Sequence, residues 1–215
     1  MTLAMPTVFD TPEHDVPVYS EDDLGHLPKP HPGSQVRPKN RISFLHAKAA
    51  HQHLAGVAGI KMGERYTETL TRNLSAETIV GIDWVELPDL WLFVRNLIFP
   101  CSTEALYGLS ILSLNPTLTE DFWAFHRGIP ALLQRLPRWM SPRAYRDRDK
   151  MLDAIKRWHT FAKEHSDFSK PGHNDPDWDP NYRSKIVKAM QACLHEMEVM
   201  DGDGRASEDL GLLFA

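Results

Sequence analysis

The chain has 215 residues, enough for one sizeable domain or two small ones. Hydrophobic residues make up 42% of the chain and charged residues 25%, a globular composition that excludes wholesale disorder. The formal net charge is −5, from 24 basic and 29 acidic side chains, so the chain lacks an overall basic field and we expect no nucleic-acid partner.

Membrane and secretion signals are missing from the sequence. No segment approaches the roughly 18 uninterrupted apolar residues of a bilayer-spanning helix, and the best candidate, 90–99, contains Arg95 and Asn96. The first residues lack the basic region and apolar core of a secretory signal. We therefore predict no transmembrane segment. The absence of a signal or anchor favours the cytoplasm, but the compartment stays open.

The first forty residues are rich in proline. Seven of the 16 prolines lie there, and Lys29–Ser34 is a clear turn signal. Because proline fixes φ and removes a backbone donor, this composition predicts irregular chain without a long helix. We therefore divide the chain into an irregular Pro-rich arm, 1–40, and a helical part, 41–215, on which the arm lies.

Apolar residues recur at helical spacing through the rest of the chain, which predicts a mainly α fold. The predicted helices are 42 to a stop at Gly56, 60–74, 89–107, 117–126, 143–164, 180–197 and one from Ser207 onward. In the third of these, Pro88 suits the first turn, Pro100 predicts a kink and Gly108 ends the helix. Asp179 is a candidate cap after a polar loop, 166–179. The last helix ends inside its apolar face at Ala215, so the sequence looks cut.

Three histidines and two cysteines are the first candidates for a site. His46, His51 and His53 are spaced by five, two and seven residues, which does not match the zinc pattern of two ligands at i and i+4. We therefore place them on helix surfaces or helix ends. Cys101 and Cys193 lie among apolar residues without an obvious positive neighbour, which predicts buried, inert thiols.

Two short motifs carry weak signals. The DGDG segment Asp201–Gly204 lacks the closing glutamate of a twelve-residue calcium loop, so we interpret it as a turn. Trp91 and Arg95 form a W-x-x-x-R pattern, in which a guanidinium could pair with a haem propionate. A pattern of five residues is too short to carry that assignment alone.

A longer stretch, Trp84–Phe161, carries a specific resemblance. It contains W-V-E-L-P-D-L-W-L-F-V-R-N-L-I-F-P-C-S-T-E-A-L-Y-G, then L-N-P-T-L-T-E-D-F-W-A-F, then L-P-R-W-M-S-P. This resembles the middle of a fungal-type cytochrome P-450, a haem-thiolate monooxygenase of the branch similar to prostacyclin synthases and sterol 7α-hydroxylases. The resemblance implies a partial cytochrome P-450 fold of central helices only, from about the helix B–C region to the start of helix I.

The resemblance also assigns places in the family fold. Helix C would lie around Phe44–Leu54, where Lys48 or His46 is a candidate to face a propionate, and we assign neither. Ser207–Ala215 resembles the start of the long helix I. Trp91 and Arg95 fall in the helix after helix C, so the resemblance makes their W-x-x-x-R pattern accidental.

The chain departs from the family at the haem site. Neither Cys101 nor Cys193 lies in the F-x-x-G-x-x-x-C-x-G loop that supplies the iron ligand, and no E-x-x-R occurs. We therefore name no catalytic, cofactor-binding or metal-binding residue. No cofactor is expected for this chain alone, whereas full-length relatives hold haem.

The sequence thus predicts a truncated cytochrome P-450-like protein. What it implies about activity comes from the family that it resembles. The family oxidises lipophilic small molecules of sterol, terpenoid or polyketide type, often in secondary metabolism, with electrons from an NADPH-dependent reductase at the endoplasmic reticulum membrane. We expect this chain to be inactive alone. One alternative is an active monooxygenase completed by a missing C-terminal half, from a split gene or mis-called exon. A more distant alternative is a non-enzymatic helical interaction protein.

Overall fold

The computed structural model describes residues 5–21, 25–29, 31–77, 81, 83–165, 175–179, 184–197 and 200–214. Within these ranges the chain is helical and contains no strand, which confirms the mainly α prediction. The helices are α1 Met5–Phe9, α2 Val16–Glu21, α3 Ile42–Leu54, α4 Gly56–Ala76, α5 Leu90–Tyr107, α6 Leu109–Leu114, α7 Leu118–Leu133, α8 Pro142–His165, α9 Lys185–Glu196 and α10 Gly202–Phe214, with a 3₁₀ turn at Pro38–Asn40.

Helix α5 matches its sequence signals closely. The Asp89 side chain caps it by accepting a hydrogen bond of 2.8 Å from the Leu92 backbone N–H. Gly108 ends it with a φ of 80°, in the region that favours glycine. Pro100 lies inside the helix and has no backbone N–H for the helical ladder.

Several helix ends differ from the predicted ones. Helix α7 continues past the predicted end at 126, through Pro130, to Leu133. Helix α6 was not predicted, because it directly follows the helix-breaking Gly108. Helix α9 begins after Ser184, so Asp179 is not its cap, and the predicted start at 180 lies outside the described residues. Most of the predicted loop 166–179 also lies outside them.

The DGDG segment was interpreted from the sequence as a turn, but the structure shows that it begins helix α10. Gly202 to Gly204 form the first turn of α10, because Asp201 Oδ1 accepts hydrogen bonds of 2.9 Å from the backbone N–H groups of both Asp203 and Gly204. Two orphan donors of the helix start are thereby satisfied. The helix therefore starts five residues before the predicted Ser207.

The core is arranged around α8, which packs against α7, α6 and α10. Met151, Ile155 and Trp158 on α8 are completely buried, and burial of each such side chain contributes about 1.5–3 kcal/mol to stability. The α7–α8 contact is close at Gly128, where an added Cβ would lie 3.0 Å from the Ala144 Cα. Leu210 on α10 is also fully buried, so the apolar face of the last helix does find packing partners.

The described part of the Pro-rich arm contributes to this core. Val8 and Phe9 on α1 are buried, and the Phe9 ring lies 6.5 Å from the Phe125 ring. Buried Arg148 donates a 2.9 Å hydrogen bond to the Thr7 carbonyl and pairs with Asp10 at 2.8 Å. The arm thus packs on the helices, whereas the division into 1–40 and 41–215 stays a prediction.

Large apolar side chains also lie on the surface. Trp84 is fully exposed, and Leu90, Trp91, Trp139 and Met140 are more than half exposed. In the ranges that the structure describes, no helix combines the length and hydropathy needed to cross a bilayer.

Candidate functional site

Asp209 on α10 is a buried residue that contacts polar side chains of three other helices. Its Oδ2 accepts a 2.7 Å hydrogen bond from Gln191 Nε2 on α9 and lies 2.6 Å from His159 Nε2 on α8. Its backbone carbonyl accepts a 3.2 Å hydrogen bond from the Tyr107 hydroxyl on α5. Burial raises the pKa of Tyr107 well above its ordinary value. Four helices therefore meet at one residue.

A second buried carboxylate joins α4 to α5. Glu104 is almost completely buried, and it pairs with Arg72 and, at 3.7 Å, with Arg65. A buried carboxylate needs such partners to remain ionised. Glu104 belongs to the S-T-E-A-L-Y-G segment, which sequence analysis used only as a family signature. The ion pairs could not be foreseen there, because the two arginines lie more than thirty residues upstream.

Cys101 lies in the interior between α4 and α5. It is completely buried, and its Sγ accepts a hydrogen bond of 3.2 Å from Asn73 Nδ2. Burial raises the pKa of the Cys101 thiol, so the neutral form is favoured. This agrees with the prediction of a buried thiol. A sulfur atom in this position has no open side at which an iron atom could be ligated.

Cys193 differs from the prediction. It is half-buried on α9 and lines a surface cavity of about 240 Å³ together with Lys39, Lys48 and His53. Two lysines and the acidic Glu196 therefore line the same cavity as this thiol, and the two lysines are distant from Cys193 in the sequence. The cavity is smaller than the roughly 300–1,000 Å³ of typical ligand pockets. Cys101 and Cys193 therefore do not fit the ligation of haem in this structure.

The three candidate histidines do not come together. His46 Nδ1 lies 3.5 Å from Glu208 Oε2 on α10, and His51 is exposed on α3. His53 is half-buried, and burial lowers its pKa, with a further contribution from Lys185. Lys48, the other residue considered for a propionate contact, is exposed at the rim of the Cys193 cavity.

Trp91 and Arg95 of the W-x-x-x-R pattern both contact a third side chain, Trp123. The Arg95 guanidinium lies over the Trp123 ring at 5.6 Å, and the Trp91 ring approaches the same indole edge-on at 6.0 Å. Trp123 therefore occupies the place where the two side chains converge. This arrangement joins α5 to α7 through aromatic and cation–π contacts.

The chain is similar to three curated proteins along most of its length. It is 34% identical over 185 residues to the cytochrome P450 monooxygenase fsoE of Humicola fuscoatra, covering 84% of this chain and 32% of that protein. It is 34% identical over 155 residues to the cytochrome P450 monooxygenase efuG of Hormonema carpetanum, covering 72% of this chain and 27% of that protein. Against the cytochrome P450 monooxygenase calL of Penicillium decumbens the identity is 26% over 188 residues, or 86% of this chain and 34% of that protein.

The matched region is therefore only part of each relative. The chain spans about a third of the length of the curated relatives that it matches. No protein-family model matches the chain, and no solved structure matches it.

Proposed function

This chain belongs to the cytochrome P450 family and forms a partial P450 fold, and we propose that it contributes helical structure to a haem-thiolate monooxygenase. The observation that carries the proposal is the 34% identity to a curated monooxygenase over 84% of the chain. Bound haem supplies the oxygen-activating chemistry in this family. The residues present here would supply helical packing for such a protein.

The proposed substrate class is a lipophilic small molecule of sterol, terpenoid or polyketide type. This follows the family branch that Trp84–Phe161 resembles, since fold alone does not fix a substrate. The proposed electron donor is an NADPH-dependent reductase that acts on the complete monooxygenase.

We further propose that these 215 residues do not form a thiolate-ligated haem complex by themselves. Two features support this. Cys101 is enclosed by protein and hydrogen-bonded to Asn73, and Cys193 faces a cavity that is small for a macrocycle. Neither stands in the F-x-x-G-x-x-x-C-x-G context.

Exposed apolar side chains support a role within a larger fold. Trp84, Leu90 and Trp91 are surrounded by solvent on at least half of their surface, which is unusual for such large groups unless another layer covers them. We propose that further protein of the same monooxygenase covers them.

The test is a carbon monoxide difference spectrum of the purified chain after addition of haem and reduction. We expect no absorption band of thiolate-ligated haem. Cys101→Ser and Cys193→Ser variants are the matched controls, and both should behave as the unmodified chain does. A band that disappears in one of the two variants would contradict the proposal and identify the ligand.

A second experiment separates the alternatives. The DNA that follows codon 215 is translated and inspected for a continuing helix and a cysteine loop. If it encodes them, the longer protein should produce the thiolate band and oxidise a lipophilic substrate. If it does not, co-purification with a partner protein would instead favour a helical interaction protein.

A further inference from the structure

Three metal-ligating side chains converge where the Pro-rich arm meets the start of α10. His14 Nε2 lies 3.1 Å from Asp201 Oδ2 and 3.7 Å from Asp15 Oδ1. One ligand atom from each residue lies within 4.8 Å of the other two, and no other group of three such residues is found in the part of the chain that the structure describes. Two ligands therefore come from the arm and one from the helical body.

Asp15 is the residue that points to a ligand. Its side chain is completely buried, and neither of its carboxylate oxygens has a hydrogen-bond partner. Burial raises the pKa of Asp15, and its other nearby charges oppose one another: His14 and Arg205 lower the pKa, whereas Asp201 and Glu208 raise it. A buried carboxylate without donors is unfavourable, and a bound cation would relieve that cost.

Asp201 is held in place through one of its two carboxylate oxygens. Its Oδ1 accepts the backbone N–H groups of Asp203 and Gly204, each at 2.9 Å. Its Oδ2 is the atom that faces His14. The first turn of α10 thus orients this carboxylate, as metal ligands are commonly oriented by a second set of hydrogen bonds.

Gly204 permits the close approach of the arm. A Cβ at this position would lie 2.0 Å from Asp15 Oδ2 and 2.5 Å from Met200 Sδ. Only a residue without a side chain lets the Asp15 carboxylate reach the start of α10. The geometry of the cluster therefore depends on the backbone and not on the side-chain rotamers alone.

A simple ion pair accounts for only part of this arrangement. Protonated His14 can pair with Asp201, but at 3.7 Å it does not donate a hydrogen bond to Asp15. By contrast, the two separations from His14 bracket the distance between neighbouring ligands of tetrahedral zinc, which is about 3.3–3.6 Å for bonds of about 2.0–2.2 Å. One imidazole nitrogen and two carboxylate oxygens form a ligand set that zinc accepts.

We propose that His14, Asp15 and Asp201 form a zinc-binding site that fastens the Pro-rich arm to the start of α10. The side chains of His14 and Asp201 are about half exposed, so the cation can enter from solvent and water can complete its coordination. Zinc bound only to the folded arrangement would stabilise the contact between arm and helix by mass action.

The experiment is isothermal titration calorimetry, in which zinc chloride is added to the full chain after treatment with a chelator. We expect one zinc ion per chain. The variants His14→Gln, Asp15→Asn and Asp201→Asn should each weaken binding at least about tenfold, because each removes a ligand. Asp201→Asn keeps an oxygen that can accept the backbone hydrogen bonds of α10, so its helix start should remain folded, as circular dichroism can verify.

The matched control is Asp203→Asn. Asp203 lies two residues from Asp201 and is exposed, but it pairs with Lys156 at 2.8 Å and does not belong to the cluster. X-ray absorption should show nitrogen and oxygen ligands only. Sulfur ligands, preferential binding of calcium, equal loss in the control, or unchanged affinity in the three variants would each overturn the proposal.

Discussion

The first half of helix α5 is more apolar than the second half but is less buried. In the first half Leu90, Trp91 and Ile98 are exposed, whereas from Phe99 to Tyr107 the helix enters the core. The buried half carries the polar residue Glu104 with its two arginine partners. Hydrophobicity therefore locates this helix but does not determine which half is buried. Burial follows the neighbours that the rest of the chain supplies.

Truncation of a residue in the buried half should have the largest effect. Tyr107→Ala removes a ring that packs edge-on against Trp158 at 5.3 Å, and leaves a cavity in the core. We expect a loss of about 3–5 kcal/mol in the free energy of unfolding, measured by urea denaturation. Tyr107→Phe keeps the ring and loses only the hydrogen bond to Asp209, so it should cost about 0.5–1.5 kcal/mol. Equal losses in the two variants would refute the packing role.

A smaller effect should follow from the buried thiol of the same half. Burial raises the pKa of Cys101 above that of the unfolded chain. The folded state therefore holds this proton more tightly, and its contribution to stability is full below the unfolded thiol pKa of about 8.5 and is lost as pH rises toward the folded value. The free energy of unfolding should fall by at most about 1.4 kcal/mol per pH unit in that window. Urea titrations between pH 7 and 10 check this.

Cys101→Ala is the control for that window, since it lacks the titrating group. The pH dependence of its unfolding should be flatter than that of the unmodified chain. A dependence of the same slope would show that another group is responsible.

The exposed half should tolerate change with the smallest effect on stability. Leu90→Ser alters a side chain that is 63% exposed, so we expect the free energy of unfolding to change by no more than about 0.5 kcal/mol. The same substitution should reduce aggregation, measured by light scattering, because it removes apolar surface. A loss as large as that of Tyr107→Ala would mean that both halves are equally part of the core.

The sequence was informative where signals are local. Pro88 and Gly108 bracket α5, and the family signatures between Trp84 and Phe161 led to the family that the curated relatives confirm. Local signals failed where partners are distant. Nothing in the sequence near Asp15 indicates that it is buried against Gly204. The DGDG segment was interpreted as a turn because the hydrogen bonds from the Asp201 side chain form only once helix α10 has started.

The contact between Gly128 and Ala144 has a consequence for how the molecule can vary. A methyl group at Gly128 would touch the Ala144 backbone at 3.0 Å, and backbone cannot rotate away as a side chain can. The spacing of α7 and α8 is therefore fixed at this crossing, and sequence drift elsewhere on the two helices has to respect it. Structures of variants of this chain can then be superimposed on this pair as a common reference frame, against which shifts of the arm and of α10 become measurable.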